Sequence, residues 1–340
     1  MNILITGGCG FVGTNLADYF LKKDNQVVLF DNLSRKGVDK NLEWLKTIHK
    51  KRLKFVKGDV RNFDQVLSNI KDIDVIFHCS AQVAVTNSVN DPREDFDINA
   101  LGTFNVLEAG RNSNTDPIVI YTSTNKVYGN NVNTIPITEK ETRYEFADPK
   151  FSNGIPENFP TDTNEHTPYG CSKYTGDLYT RDYHKIFGLK TIAFRMSCIY
   201  GKRQFGNEDQ GWIAHFIISS FLNRPLIIFG DGKQVRDILF IDDLVRAFEL
   251  ACKNIKRTKG KTYNIGGGPE NTISLLELLK ILQKFGLNPK YTFDKWRLGD
   301  QKVYISDIRK TNEFKWEPKV SPEEGLEKLF TWIKENKRLF

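Results

Sequence analysis

An α/β fold, a doubly wound parallel sheet with a smaller C-terminal α/β lobe, is predicted by three observations. Short apolar runs alternate with amphipathic helical patterns over residues 1–200. The first run, Asn2-Ile3-Leu4-Ile5-Thr6, leads straight into the turn Gly7-Gly8-Cys9-Gly10-Phe11-Val12-Gly13. The 340 residues are 39% hydrophobic and 27% charged, as in an ordinary globular protein, and no apolar run approaches the ~20 residues of a membrane helix. A chain of this length buries a sizeable core and suits two lobes. The boundary falls near residue 190. Residues 1–189 form the main lobe and 190–340 the second, with return segments at about 190–200 and 235–253.

The elements follow in order. The run 2–6 reads as a buried parallel strand. After it, Gly8, Gly10 and Gly13 fit G-x-G-x-x-G, while Gly7, Gly10 and Gly13 fit G-x-x-G-x-x-G. Strand, glycine turn and helix together make a dinucleotide-binding context, the Rossmann type. One glycine makes the turn, one admits a pyrophosphate to the backbone, and one lets the helix pack on its strand. The pyrophosphate then meets the helix N-terminus, where N–H groups lack partners. The second strand, 26–30, ends at Asp31. A carboxylate there accepts from the adenosine ribose and repels a 2′-phosphate, favouring NAD over NADP; Arg35 and Lys36 oppose that preference.

The third strand, 53–56, is followed by Asp59, which suits either the adenine amino group or a plain turn. The fourth, 75–78, ends in Cys79-Ser80-Ala81, small residues that let backbone lie beside a flat ligand, and His78 reads as structural. Asn99 and Gly102 are poor helix formers inside the helical pattern 94–111. They mark a backbone irregularity, which Asn99 repairs. The fifth strand, 118–121, runs into Thr122-Ser123-Thr124-Asn125-Lys126-Val127-Tyr128-Gly129, with hydroxyls at the carboxyl end where ligands of such sheets bind. Residues 130–167 are polar and rich in Pro, Asn and Asp. They read as an irregular excursion of the kind used for lids or binding loops.

Pro168 suits a helix start, and the helical pattern 169–187 follows. Tyr169 and Lys173 are four apart and share one helix face. A tyrosine ionises near pH ~10, and a nearby ammonium with a cationic nicotinamide favours its phenolate. The sixth strand, 190–194, precedes polar, glycine-rich loops at 201–205 and 209–212. A turn at Gly230-Asp231-Gly232 leads through Gln234-Val235-Arg236-Asp237 to a helix at 242–252. Residues 264–267 and the helix 274–285 are assigned to the second lobe.

Composition excludes several classes. The five cysteines, Cys9, Cys79, Cys171, Cys198 and Cys252, form no C-x-x-C. That argues for reduced thiols and against a disulfide framework or zinc site, and no other metal is implied. The chain enters its first strand without a signal segment, so a cytoplasmic protein is expected. The net charge of +7 is modest. The short basic runs at 50–52 and 253–261 read as solvated ends rather than a nucleic-acid surface, and the basic balance suits a diphosphate-bearing substrate.

Residues 6–13, Asp31, Asp59, 78–81, Asn99, 122–129 and the Tyr169/Lys173 pair together resemble the extended short-chain dehydrogenase/reductase family, in particular its nucleotide-sugar epimerases and dehydratases. The resemblance implies NAD, held by Gly7, Gly10, Phe11, Val12, Gly13, Asp31, Asn32, Ser34, Arg35, Asp59, Val60, Ser80, Ala81, Gln82, Asn99, Thr122, Tyr169 and Lys173. It implies catalysis by Thr124, Tyr169 and Lys173: Thr124 holds the reacting sugar oxygen, Tyr169 is acid and base, and Lys173 holds the nicotinamide ribose. It implies a nucleotide-sugar site of Thr124, Asn125, Lys126, Arg203, Gln204, Arg236, Arg297 and Gln301, with Arg236 and Arg297 on the diphosphate, and a homo-oligomer, dimer or tetramer. In the family's dehydratases Asp-Glu follows the residue matching Thr124; here Asn125-Lys126 stand there, without the acid and base of an elimination. A 4-epimerase, a reductase, or a dinucleotide-sensing or RNA-binding protein on the same fold remain alternatives. Local strings such as His166-Thr167-Pro168-Tyr169-Gly170-Cys171-Ser172-Lys173 and Gly232-Lys233-Gln234-Val235-Arg236-Asp237 resemble the CDP-tyvelose (CDP-paratose) 2-epimerases, which implies a CDP-3,6-dideoxyhexose as substrate.

Overall fold

A computed structural model describes residues 1–340. In chain order the main lobe comprises β1 (Asn2–Thr6), α1 (Phe11–Lys22), β2 (Gln26–Asp31), α2 (Val38–Ile48), β3 (Leu53–Lys57), α3 (Phe63–Ser68), β4 (Val75–His78), α4 (Val85–Asn90), α5 (Pro92–Phe96), a π-helical turn (Asp97–Leu101), α6 (Gly102–Arg111), β5 (Ile118–Thr124), a 3-10 segment (Asn125–Thr134), the hairpin β6 (Ile137–Glu139) and β7 (Tyr144–Phe146), and α7 (Pro168–Phe187). There follow β8 (Lys190–Met196), β9 (Cys198–Tyr200), α8 (Trp212–Phe221), β10 (Leu226–Phe229), β11 (Val235–Phe240), α9 (Ile241–Lys253), α10 (Ile255–Thr258), β12 (Lys261–Ile265), β13 (Thr272–Ser274), α11 (Leu275–Lys284), β14 (Tyr291–Asp294), β15 (Val303–Tyr304) and α12 (Pro322–Glu335).

The main sheet has seven parallel strands in the order β12-β8-β5-β4-β1-β2-β3. Its central strands are buried on both faces, which explains why they read as continuous apolar runs rather than alternating ones. The strand order reverses between β1 and β4, so a crevice opens at their carboxyl ends. The expected irregularity in the 94–111 pattern is the π-helical turn, with Asn99 in it and Gly102 just after it. Gly102 lies against Val60, where a Cβ would stand 2.7 Å from Cγ2.

Three expectations are corrected. Residues 264 and 265 belong to β12, which pairs in parallel with β8 and adds a seventh strand to the main sheet; Tyr263 and Ile265 are fully buried there. Of the expected return segment 235–253, β11 lies instead in the second lobe's sheet, paired with β9, β13 and β15, and only α9 packs back on α1. The excursion 130–167 is no lid. The apolar side chains Val132, Ile135, Phe151 and Ile155 bury with Tyr304 in a small core. Its backbone also pairs with the second lobe, from Ile155 N–H to Ile305 O at 2.7 Å and from Tyr144 N–H to Lys233 O at 2.9 Å. The excursion joins the lobes because burying these side chains removes apolar area from water. The main core itself runs from α1 through α9 to α12, with Phe77 and Phe194 both edge-on to Phe248.

Candidate active site

The crevice is set by the glycine turn. Gly7 has φ +64°, and a Cβ on it would stand 2.7 Å from Ser80 N; a Cβ on Gly13 would stand 2.3 Å from Gly7 O. Only glycine lets β1, β4 and α1 approach this closely. Gly10 is the N-cap of α1, and neither a side-chain cap nor an acidic first-turn residue covers the N–H groups of Phe11, Val12 and Gly13. Asp31 accepts from Cys9 N–H at 3.0 Å and from Leu33 N–H at 2.8 Å, so its carboxylate is locked to the turn. Burial pushes its pKa above the usual carboxylate range, and the two N–H groups oppose that. Each oxygen keeps a lone pair for a ribose hydroxyl. A close-packed turn, an uncapped helix start and an oriented carboxylate together fit a dinucleotide.

The other residues expected at the cofactor are placed around this turn. Asn32 donates to Asp59 at 3.0 Å, and Arg61 grips Asp59 with two bonds of 3.0 and 2.7 Å, holding its pKa down to about 2. Ser34 N–H donates to Asn32. Arg35 reaches across to the second lobe and donates to Gln210 Oε1 at 2.6 Å. Val60 is core, and its carbonyl accepts from Asn105. Ser80 N–H donates to Thr6 Oγ1 at 3.4 Å, with Ala81 partly buried beside it. Thr122 Oγ1 donates to His78 O at 2.9 Å. His78 hydrogen-bonds with Thr6 and Thr103, and burial holds its pKa down to about 3, so it is a neutral structural group. Asn99 accepts from Gln82 N–H and donates to Gln82 O, Asp95 and Ser172, tying the loop after β4 to α5 and α7. Gln82 is corrected: its amide is spent on Ala84 in its own loop and on Asp95 of α5, which makes it a brace rather than a ligand group.

The reacting end lies where β5 faces α7. Thr167 caps α7 by accepting from Gly170 N–H, and Pro168 is its first residue. Tyr169 and Lys173 therefore project from its first turns. Burial pushes the Tyr169 phenol up to about 12, while the neighbouring Thr124 hydroxyl acts the other way. Burial pushes the Lys173 ammonium down to about 7, and Nζ sits 4.4 Å from the centre of the Tyr121 ring. Of the charged neighbours of Tyr169, Asp95 raises its pKa further and Arg35 lowers it.

Lys173 also makes a testable contribution to stability. Its folded pKa of about 7 lies below the ordinary 10.5. Between those values the unfolded chain holds more protons, so stability rises with pH through that window, and below about pH 7 the full cost of a buried charge is present. In protein stripped of cofactor, Lys173→Met is expected to raise the melting temperature most at about pH 6 and hardly at all near pH 10. Equal shifts at both pH values in thermal melts would rule this out.

Beyond Tyr169 opens a cleft of ≈ 560 Å³ between the lobes, lined by Thr124, Asn125, Lys126, Gln204, Arg236 and Arg297 among others. Thr124 donates to Asn125 Oδ1 at 3.2 Å, and Asn125 donates to Gln301 at 3.4 Å. Gln301 is buried behind the wall and donates to Gly129 O, so it positions Asn125 rather than lining the cleft. Arg236 pairs with Asp300 at 3.3 Å. Arg297 lies 3.7 Å over the Phe229 ring and pairs with Glu208 at 3.2 Å. A guanidinium carries five donors, so either arginine can also bind phosphate oxygens. Gln204 donates to Ile199 O, leaving its buried Oε1 unpartnered. Arg203 is corrected: it lies outside the cleft, its guanidinium stacked 3.9 Å over Trp44 and facing Trp332 at 5.6 Å, a seat that cation–π attraction explains.

Sequence reasoning missed two supports of this site. Asp95 accepts from Ser172 and Asn99 beside Lys173. Asp177 and Arg195 form a buried, two-pronged ion pair behind β5. The i, i+4 spacing of Lys173 and Asp177 on α7 was the only local signal for the latter.

A family model described as the NAD dependent epimerase/dehydratase family matches residues 3–266. The chain is 44% identical to the CDP-paratose 2-epimerase of Salmonella typhi over 98% of this chain and 99% of that one. It is 34% identical to a putative UDP-glucose 4-epimerase of Methanocaldococcus jannaschii, over 99% of each. Among solved structures, UDP-glucuronic acid 4-epimerase from Bacillus cereus with UDP-glucuronic acid and NAD superposes with a TM-score of 0.82, at 30% identity over 98% of this chain and 99% of that one. The dTDP-glucose 4,6-dehydratase DesIV from Streptomyces venezuelae, with NAD and TYD bound, gives 0.83 at 26% identity, over 100% and 99%.

Proposed function

This chain belongs to the NAD dependent epimerase/dehydratase family, and from that premise we infer that it is an isomerase which inverts carbon 2 of CDP-paratose to give CDP-tyvelose. The observation that carries this reading is the meeting of Tyr169 and Thr124 at the head of a cleft that also holds Arg236 and Arg297. The relative that is 44% identical along nearly its whole length is named for the same reaction. NAD, when bound, supplies reversible acceptance of a hydride from the sugar carbon.

The chain's own residues do the rest. Tyr169, drawn to its phenolate form by the positive charge of the oxidised nicotinamide, takes the proton from the carbon 2 hydroxyl as it is oxidised and gives it back on reduction. Thr124 orients that oxygen. Lys173, one helical turn on, holds the nicotinamide ribose. Arg236 and Arg297 clamp the diphosphate, so the sugar can turn and present its other face while the nucleotide stays fixed. Asn125 and Gln204 complete the wall around the sugar. After Thr124 come an amide and an ammonium, not two carboxylates, and this favours epimerisation over elimination.

Oxidation at carbon 2 itself suits a 3,6-dideoxy sugar. With no hydroxyl at carbon 3, no neighbouring ketone can be made there to acidify the carbon 2 proton. Incubation with CDP-paratose is expected to yield a mixture with CDP-tyvelose and no net NADH. A deuterium at carbon 2 is expected to stay in the product in H2O. Loss of that label to solvent, or turnover only at carbon 4 of a UDP-hexose, would overturn the assignment in favour of a 4-epimerase or an enolising mechanism.

Two further features belong to this reading. Leu101 at the end of the π-helical turn, Phe104 on α6, and Leu178 and Tyr179 on α7 expose apolar surface, with Phe104 and Tyr179 edge-on at 5.6 Å, which supports a homo-oligomer, dimer or tetramer. No helix is long and apolar enough to cross a membrane, and five unpaired thiols accord with a reducing, cytoplasmic setting.

A further inference from the structure

Lys126 stands two residues beyond Thr124, and its ammonium donates a single hydrogen bond, 3.0 Å, to Gly299 O. An ammonium has three donors, so two remain for a ligand. Lys126 lines the same cleft as Thr124, Tyr169, Arg236 and Arg297. The charged and titratable groups that act on it come from three elements: Arg236 on β11, Asp300 in the loop after Arg297, and Cys198 on β9. Asp300 is already paired with Arg236, which leaves Lys126 without an anion of its own.

We propose that Lys126 is the third cation of the diphosphate seat, beside Arg236 and Arg297, and that it takes up a proton from solvent as the nucleotide enters. This rests on reading the cleft as a site for a cytidine diphosphate sugar. Burial and the Arg236 charge push Lys126 down to about 8 before the nucleotide arrives. A diphosphate brings negative charge to the two spare donors and favours the ammonium. A lysine suits this role because its compact charge shifts readily with surroundings, whereas an arginine stays charged throughout. The sign follows from linkage. Above about pH 8 the free protein holds an amine and the complex an ammonium, so binding takes up a proton and affinity falls as pH rises. Below about pH 7 both hold the ammonium, and the linkage vanishes.

The test is calorimetry of CDP binding to the NAD-containing protein, in buffers of low and high ionisation enthalpy. At about pH 8.5 the slope is expected to give an uptake of roughly half a proton or more per chain, against almost none near pH 7. Lys126→Met is expected to lose the linked proton and to bind CDP roughly tenfold more weakly at pH about 7. Lys126→Arg is expected to keep CDP affinity across the range with no linked proton. Binding of CDP by the parent protein without proton uptake, or the same uptake in Lys126→Met, overturns this inference and leaves the cytidine reading standing. Failure of the parent protein to bind CDP at all removes both.

Discussion

Tyr169→Phe is expected to lower turnover by about 10²–10⁴-fold and to leave CDP binding unchanged. The change removes one oxygen and keeps the ring, which is 9% exposed and packed at the start of α7. The loss is that of a general acid and base poised on the reacting oxygen. In the proposed reading the nucleotide is held elsewhere, by groups on β11 and the loop carrying Arg297, so its binding has no reason to change. The effect belongs in turnover rather than in the substrate constant, because the proton moves only as the reaction proceeds. Thr124 gives the control. Its hydroxyl accepts from Lys126 N–H at 3.2 Å and caps the 3-10 segment, so Thr124→Ser is expected to retain most activity and Thr124→Ala to lose less than Tyr169→Phe. Steady-state rates with CDP-paratose, set beside CDP titrations, decide the matter. A Tyr169→Phe protein as active as the parent would remove Tyr169 from the reaction.

The second large effect is on stability. Arg195→Met is expected to destabilise the protein by about 3–5 kcal/mol, lowering Tm by roughly 5–10 °C. Arg195 is 3% exposed and Asp177 fully buried. The guanidinium donates to both carboxylate oxygens of Asp177 at 3.0 Å, and also to Tyr128 and Glu157 O. Ser123 donates to the same carboxylate at 2.9 Å. Removing the arginine leaves Asp177 charged in the interior with only the Ser123 hydroxyl and the partly exposed Arg181, 3.3 Å away, to compensate, which is costlier than never having had the pair. The double variant Asp177→Leu, Arg195→Met removes both charges and is expected to recover part of the loss. Because Ser123 and Tyr128 bracket Thr124 and join it to α7, activity is expected to fall with stability. A single variant that melts within a degree of the parent would show that the pair does not hold this part of the fold.

Most of the cofactor crevice was legible from the chain alone. Gly7, Gly10 and Gly13 lie within one turn, and steric exclusion of a Cβ is a local matter. Asp31 ends the next strand, where parallel pairing with β1 sets its place. Tyr169 and Lys173 share a face because an α-helix repeats every 3.6 residues. Asn99 announced the π-helical turn because it sits in a helix without favouring one. Each of these rests on short-range geometry, which the order of residues determines directly.

What the tertiary structure decided were partnerships between distant residues. Arg203 looks like a phosphate ligand in sequence, yet two tryptophans from α2 and α12 take its guanidinium. Gln82 is used up by its own loop and by Asp95 of α5, and Gln301 stands one layer behind the wall. β12 joins the main sheet across the connection from β8, and the 130–167 excursion welds the lobes rather than covering the cleft. Lys126 finds Gly299 O, 173 residues away in sequence. A side chain's chemistry says what it can bind, but many partners of the right chemistry exist along a chain. Which one it meets depends on how the core closes, because burial of apolar area, not the polar contact itself, supplies most of the energy that brings remote segments together.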